Sequence, residues 1–153
     1  MDDDAHALGL GRLIANLQSL ELMLRAYLAL TSDDEEADGR RLIGKGVGDK
    51  VPEDPFTDYD SLRQVIRRYN AKVADPELSV SEDVVEIRDA LAHGRISAWS
   101  PEFPLQLLTF AKPQDATVEI TQLVTLTEEW FAEQRRHVFA QAQKVERARR
   151  QLG

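Results

Sequence analysis

The sequence lacks cysteine entirely over its 153 residues. Disulfide bonds, thiolate metal ligands and a cysteine nucleophile are therefore excluded. It also lacks any apolar run near the ~20 residues that a membrane-spanning helix requires. Residues 1–4 read Met-Asp-Asp-Asp, whereas a secretory signal begins with basic residues. We therefore expect a cytoplasmic protein with no export and no membrane association.

Positive charge is also scarce. Lys and Arg total 19 against 27 Asp and Glu, which gives a net charge of −8. This balance counts against non-specific nucleic-acid binding, which depends on a basic surface. The charge is unevenly distributed, since residues 33–36 are all acidic and basic residues crowd the segment 135–150. The sequence therefore still permits a local basic face on this acidic protein.

Hydrophobic residues make up 42% of the chain, which is enough for a folded core, and we predict a single domain over residues 1–153. The spacing of apolar residues predicts four helices. The first has the clearest pattern, with leucines at alternating steps of three and four, typical of a helix with one buried face. The predicted helices cover about 5–30, 58–73, 81–93 and 127–152.

Capping residues predict where these helices begin and end. We expect Asp58 or Asp60 to cap the second helix and Ser81 to cap the third, because their side-chain oxygens accept hydrogen bonds from free backbone N–H groups. Gly94 is predicted to close the third helix in a left-handed conformation. Glycines and prolines predict mostly loop over 31–57.

The period of the apolar pattern changes after Gly94. Alternation at Val118, Ile120 and Val124 is typical of a strand, and Pro113 marks a turn. We predict two or three short strands, as a hairpin or small meander, over about 96–125. The predicted fold class is therefore an all-α bundle of four to five helices, with this small β insertion before the last helix.

Other patterns of chemical interest give weaker signals. The residues from Gly39 to Lys45 resemble a phosphate-binding loop, but Gly46 stands where Ser or Thr should hold magnesium, so we predict a flexible loop. His6 and His137 are isolated and have no cysteine partners, so we predict neither a metal site nor a cofactor.

The stretch from Arg88 to Arg95, Arg-Asp-Ala-Leu-Ala-His-Gly-Arg, is the most informative part of the sequence. Its first arginine stays charged, whereas His93 can carry or release a proton near neutral pH. These two groups suffice for phosphodiester chemistry without a metal. An alternative interpretation is structural: His93 caps the end of the third helix, and Arg88 pairs with Glu86 or another acidic neighbour.

Helix geometry restricts how Arg88 and His93 can act together. Five steps of ~100° place them roughly 140° apart around a straight helix, so they do not share a face. Asp89 and His93, four residues apart, do share one. Convergence of Arg88 and His93 on one phosphate therefore requires either local unwinding near Gly94 or two copies of the helix related by a two-fold axis.

An arginine, a polar residue, three further residues and a histidine, at the end of the third helix of a small bundle, form a pattern that resembles the HEPN superfamily (higher eukaryotes and prokaryotes nucleotide-binding). The signature of that superfamily is an Arg followed four to six residues later by a His, often with Asn, Asp or His directly after the Arg. The matching residues here are Arg88, Asp89 and His93. The resemblance covers the bundle in outline and is specific over residues 88–95.

The resemblance implies a metal-independent endoribonuclease whose active site lies at a homodimer interface. It implies RNA as the substrate and, as in toxin–antitoxin systems, a protein antitoxin as a partner. His93 would be the general acid or base, and Arg88 would stabilise charge on the phosphoryl oxygens. Asp89 would orient one of these two groups, and Arg95 would add a phosphate contact.

Two other functions stay open at this point. The negative charge and the leucine-rich first helix are also typical of a non-catalytic HEPN-like helical module that binds another protein. Nucleotide binding without hydrolysis is the third candidate.

Overall fold

The computed structural model describes residues 1–34, 37, 39–97 and 102–153. Residues 35–36 of the acidic run and residues 98–101 of the predicted β insertion lie outside the described residues. The described part contains four α-helices, two short 3₁₀ helices and three strands. In chain order these are α1 (Asp3–Leu30), a 3₁₀ helix (Gly39–Leu42), α2 (Leu62–Lys72), a 3₁₀ helix (Pro76–Leu78), α3 (Asp83–His93), β1 (Arg95–Ser97), β2 (Gln106–Phe110), β3 (Ile120–Thr125) and α4 (Glu128–Gln151).

The all-α prediction is wrong, because the three strands pair into an antiparallel sheet of order β1-β2-β3 and the fold is mixed α/β. Ile96 lies opposite Leu107, and Leu107 lies opposite Val124. Every strand needs a neighbour for its backbone N–H and C=O groups, so the short apolar segments after α3 are stable only as a joined sheet. Leu107 is buried, so the sheet contributes to the core.

The chain divides into two compact units. The first comprises Met1–Leu17 and Asp83–Val138, and the second comprises Gln18–Glu82 and Phe139–Gly153. Since α1 and α4 each continue from one range into the other, both units contain part of both helices. The single-domain organisation stays a prediction.

In the second unit, α2 begins at Leu62 because Ser61 caps it. The Ser61 hydroxyl accepts a hydrogen bond from the backbone N–H of Gln64, and the Gln64 side chain accepts one from the Ser61 backbone N–H, 2.8 Å away. This reciprocal arrangement is a capping box. The predicted caps, Asp58 and Asp60, lie just before it, and both are bound by arginine side chains.

The core of the second unit is formed where α1, α2 and the following loop meet. The Tyr69 hydroxyl donates a hydrogen bond to the Leu78 carbonyl at 3.0 Å, and its ring packs edge-on against Tyr27 with centroids 4.9 Å apart. The residues around these rings are almost fully buried, namely Leu20, Leu24, Leu28, Val65, Ile66 and Val145. The leucines of α1 thus occupy the face that their three-and-four spacing predicts.

Arg25 joins α1 to the loop before α2. Its guanidinium donates to Asp58 Oδ1 at 2.7 Å and to the Pro55 and Asp60 carbonyls at 2.7 and 2.8 Å. Asp58 accepts a further hydrogen bond from Arg68 at 2.7 Å. Burial acts to raise the pKa of Asp58, but the hydrogen bonds from Arg25 and Arg68 outweigh it, so the pKa lies below the ordinary value of 3.8.

We expect Asp58→Asn to lower the free energy of unfolding by about 2 kcal/mol at neutral pH, because it removes one of the two carboxylates, Asp58 and Glu21, that bind the largely buried Arg25. Since the pKa of Asp58 is lower in the folded state, its contribution is complete above the unfolded-state pKa. That contribution is lost as the pH falls through the folded-state pKa. Urea unfolding of wild type and variant between pH 7 and pH ~2 should show the two stabilities converging below pH ~4. The exposed Asp33→Asn serves as the control, and equal losses in both variants would contradict the assignment.

The first unit is built from the beginning of α1, from α3, the sheet and the beginning of α4. Its buried residues include Leu13, Val84, Leu107, Phe131 and Val138. Thr127 caps α4 by accepting the Trp130 backbone N–H at 3.0 Å. This unit contains all four predicted site residues.

Candidate functional site

Helix α3 is regular up to His93, since the backbone N–H of Gly94 still donates to the Ala90 carbonyl at 2.8 Å. The local unwinding that could have turned Arg88 and His93 toward each other does not occur. Their side chains therefore leave the helix roughly 140° apart, as helical geometry requires.

The structure brings Arg88 and Asp89 together and places Asp89 beside His93. Arg88 Nη1 donates to Asp89 Oδ1 at 2.9 Å, and both side chains are about half exposed. Asp89 and His93 line one open groove of about 540 Å³. Among the described residues that line it, Arg88 is absent. The carboxylate of Asp89 is thus the link between the arginine and the groove.

The groove has a wall from α3 and a wall from the sheet. Because α3 rises by one turn every 3.6 residues, Glu86, Ala90 and His93 lie along the same side of it. Thr109 and Phe110 of β2 face them from the sheet. His93 is exposed, so its imidazole is accessible to a ligand in the groove.

Gly94 holds the end of α3 against the sheet, for a reason other than the one predicted. The residues with left-handed backbone are found elsewhere in the described chain, so the expected left-handed closure at Gly94 is wrong. A Cβ atom at this position would lie 2.3 Å from the Ala90 carbonyl oxygen and 2.6 Å from Leu107 Cδ1. A glycine is required because both the last turn of α3 and strand β2 lie too close to this backbone for any side chain.

Arg95 lies on β1 opposite Leu108 and is exposed. It lines a separate open pocket of about 400 Å³ with Phe110 and Val118. Arg95 is not among the described residues that line the His93 groove. Phe110 lines both, so the two sites are neighbours.

A second groove of about 350 Å³ adjoins the first and was missed by sequence reasoning. The two share Glu86, Ala90 and Gln122 in their lining. At the far end, His137 Nε2 lies 2.8 Å from Asp83 Oδ1. No local signal could have paired these residues, since they are 54 positions apart on different helices.

The two grooves are acidic. Carboxylates line both, and Trp130 adds an aromatic wall to the second. No lysine or arginine lines either groove among the described residues. A phosphate placed at His93 therefore requires a cation from outside the groove. The lining carboxylates are Asp83, Glu86, Asp89 and Glu133.

In the described part of the chain, no group of three or more His, Asp or Glu side chains is arranged to hold a metal ion. None of the helices there has the length and apolar character needed to cross a membrane. No protein-family model, curated protein or solved structure matches the chain. The resemblance to the HEPN superfamily therefore rests on residues 88–95 and on their place at the end of α3.

Proposed function

We propose that this chain is a metal-independent endoribonuclease of the HEPN type that acts as a homodimer. The observation that carries the proposal is the end of α3. There an accessible His93 shares a groove with Asp89, and Asp89 binds Arg88. Histidine can transfer a proton and arginine can stabilise charge on phosphoryl oxygens, and both contributions serve phosphodiester cleavage without a metal.

In the proposed reaction the 2′-hydroxyl of a ribose attacks the adjacent phosphorus. The new P–O bond forms a 2′,3′-cyclic phosphate, the 2′-hydroxyl loses its proton to solvent water, the bond to the 5′-oxygen of the next nucleotide breaks, and that oxygen takes up a proton. We assign His93, exposed at the last residue of α3, as the proton donor. Arg88 stabilises the charge on the phosphoryl oxygens.

The requirement for two copies follows from helical geometry and charge. Arg88 and His93 of one chain diverge by roughly 140°, and the groove at His93 has no arginine or lysine among its described lining residues. A second copy can supply the missing guanidinium. The carboxylates of Glu86 and Asp89 in the groove are complementary to such a guanidinium.

The direct test is cleavage of end-labelled RNA by the purified protein in EDTA. We expect cleavage that is insensitive to the chelator and leaves 2′,3′-cyclic phosphate and 5′-hydroxyl ends. Absence of cleavage at high protein concentration would overturn the proposal. An RNA substrate, a toxin role and a protein antitoxin stay predictions until that result.

A mixed dimer tests the sharing of the site between copies. Arg88→Ala and His93→Ala subunits, co-expressed with different tags and purified through both, should regain about half of the wild-type rate. In such a dimer, one site combines an intact Arg88 from one copy with an intact His93 from the other. If both groups acted from the same chain, each site would carry one lesion and the mixed dimer would be as inactive as either parent.

The acidity of the grooves favours one alternative, a non-catalytic HEPN-like module that binds a basic segment of another protein. In that case no RNA cleavage occurs, and Glu86→Gln with Asp89→Asn weakens binding of a short arginine-rich peptide. Detection of EDTA-resistant cleavage that depends on His93 would exclude this alternative.

A further inference from the structure

A smaller groove of about 240 Å³ lies in the first unit, between the beginning of α1 and the beginning of α4. Its lining differs in charge from the grooves along α3. Two arginines, Arg12 from α1 and Arg135 from α4, face it together with one carboxylate, Glu128. The apolar side chains of Leu8 and Phe131 also line this groove.

The two helices come close at this point because residue 9 is a glycine. A Cβ atom on Gly9 would lie 2.6 Å from Phe131 Cδ2 and 2.9 Å from its Cγ. A glycine in the interior of a helix is unfavourable for helix stability. The close contact offsets this cost and fixes the floor of the groove.

The arginines of this groove differ from most other arginines of the described chain in their ion pairing. Arg25, Arg68 and Arg149 each bind carboxylates. Neither Arg12 nor Arg135 forms an ion pair with any of the described residues. The Nε atom of Arg135 is moreover buried and has no hydrogen-bond acceptor among them.

Two guanidinium groups on the same groove repel each other. One ligand removes this repulsion, an oxyanion that lies between the two positive charges and accepts hydrogen bonds from both guanidinium groups. Planar guanidinium groups match the oxygens of phosphate particularly well.

We propose that this groove is a binding site for a phosphate group, either free phosphate or a terminal phosphate monoester. Arg135 and Arg12 bind the oxygens of the phosphate, and the carboxylate of Glu128 weakens phosphate binding by like-charge repulsion. The volume of 240 Å³ suits a small ligand group and not a large cofactor. The site is distinct from the His93 groove and does not depend on ribonuclease activity.

Calorimetric titration of the full chain with inorganic phosphate at low ionic strength tests the site. Arg135→Met should weaken binding by at least about tenfold, since a charge-assisted hydrogen bond is lost. Glu128→Gln should strengthen it several-fold, because a repulsive charge is removed. Arg136→Met is the matched control: it removes a neighbouring exposed arginine that is not among the described lining residues, and it should leave affinity unchanged.

A second titration distinguishes the two sources of phosphate. It compares a 5′-phosphorylated trideoxynucleotide with its 5′-hydroxyl form, neither of which can be cleaved through a 2′-hydroxyl. Tighter binding of the phosphorylated form than of inorganic phosphate identifies a nucleic-acid end as the ligand, whereas equal binding identifies free phosphate. No binding at millimolar phosphate, or equal losses in Arg135→Met and Arg136→Met with both variants folded by circular dichroism, would overturn the proposal.

Discussion

Replacement of His93 by alanine is expected to slow RNA cleavage by a factor of about 10² to 10⁴, the usual contribution of a positioned proton donor. The loss should leave the fold intact, because His93 is exposed at the last residue of α3 and the helix is closed by the Gly94 to Ala90 hydrogen bond. Initial rates on end-labelled RNA in EDTA measure the effect. Thermal unfolding of the same samples reports on the fold.

Two further variants test whether cleavage depends on proton transfer by His93 or only on the shape of its side chain. His93→Asn keeps a planar polar side chain but cannot donate a proton as an acid, so it should be as inactive as His93→Ala. Lys112→Ala removes a charge from an exposed position that is not among the described lining residues of the His93 groove, and it should retain the wild-type rate. Substantial cleavage by His93→Asn would remove His93 from the catalytic role.

Gly94→Ala is expected to lower the free energy of unfolding by about 3 kcal/mol, the upper part of the range for an overpacked site. The added methyl group would lie 2.3 Å from a backbone oxygen in α3, 2.6 Å from Leu107 and 3.1 Å from the Leu108 carbonyl oxygen. Two of these three atoms belong to the backbone. Relief of the Ala90 contact requires a change in the backbone at the end of α3, and relief of the Leu108 contact requires β2 to move away. Urea unfolding with a two-state fit gives the value.

Gly11→Ala is the matched control for this substitution. Gly11 lies within α1, and a Cβ atom there would meet no atom within 4 Å. Alanine is the better helix former, so the control should gain about 0.5–1 kcal/mol. The two glycine-to-alanine changes therefore have opposite expected signs. A neutral result for Gly94→Ala would show that neither the last turn of α3 nor the sheet excludes a side chain at this position.

Displacement of β2 should also affect the candidate site. Thr109 and Phe110 of β2 form the wall opposite His93, so a shift of this strand changes the width of the groove. Gly94 is thus a positioning residue in the proposed ribonuclease. Its effect on cleavage should follow its effect on stability.

Helix positions were well predicted from sequence, because apolar spacing reflects neighbours three and four residues apart in the same helix. The leucines of α1 are an example: Leu13, Leu17, Leu20 and Leu24 are all buried. The position of Arg88 and His93 near the end of a helix was also predicted from the sequence. The predicted cap of α2 was wrong: Asp58 or Asp60 was expected, whereas Ser61 forms a capping box with Gln64, three residues later. Asp58 instead binds Arg25, 33 positions away.

The sequence by itself determined the helical segments, the absence of thiol chemistry and the placement of Arg88, Asp89 and His93 near the end of one helix. Tertiary structure alone decided three things: that the strands form a sheet against α3, that His137 meets Asp83, and that Arg12 and Arg135 share a groove. The physical reason is the distance along the sequence between the residues that interact. Helical periodicity and capping are set by residues within one or two turns, whereas these contacts join positions that become neighbours only when distant elements pack.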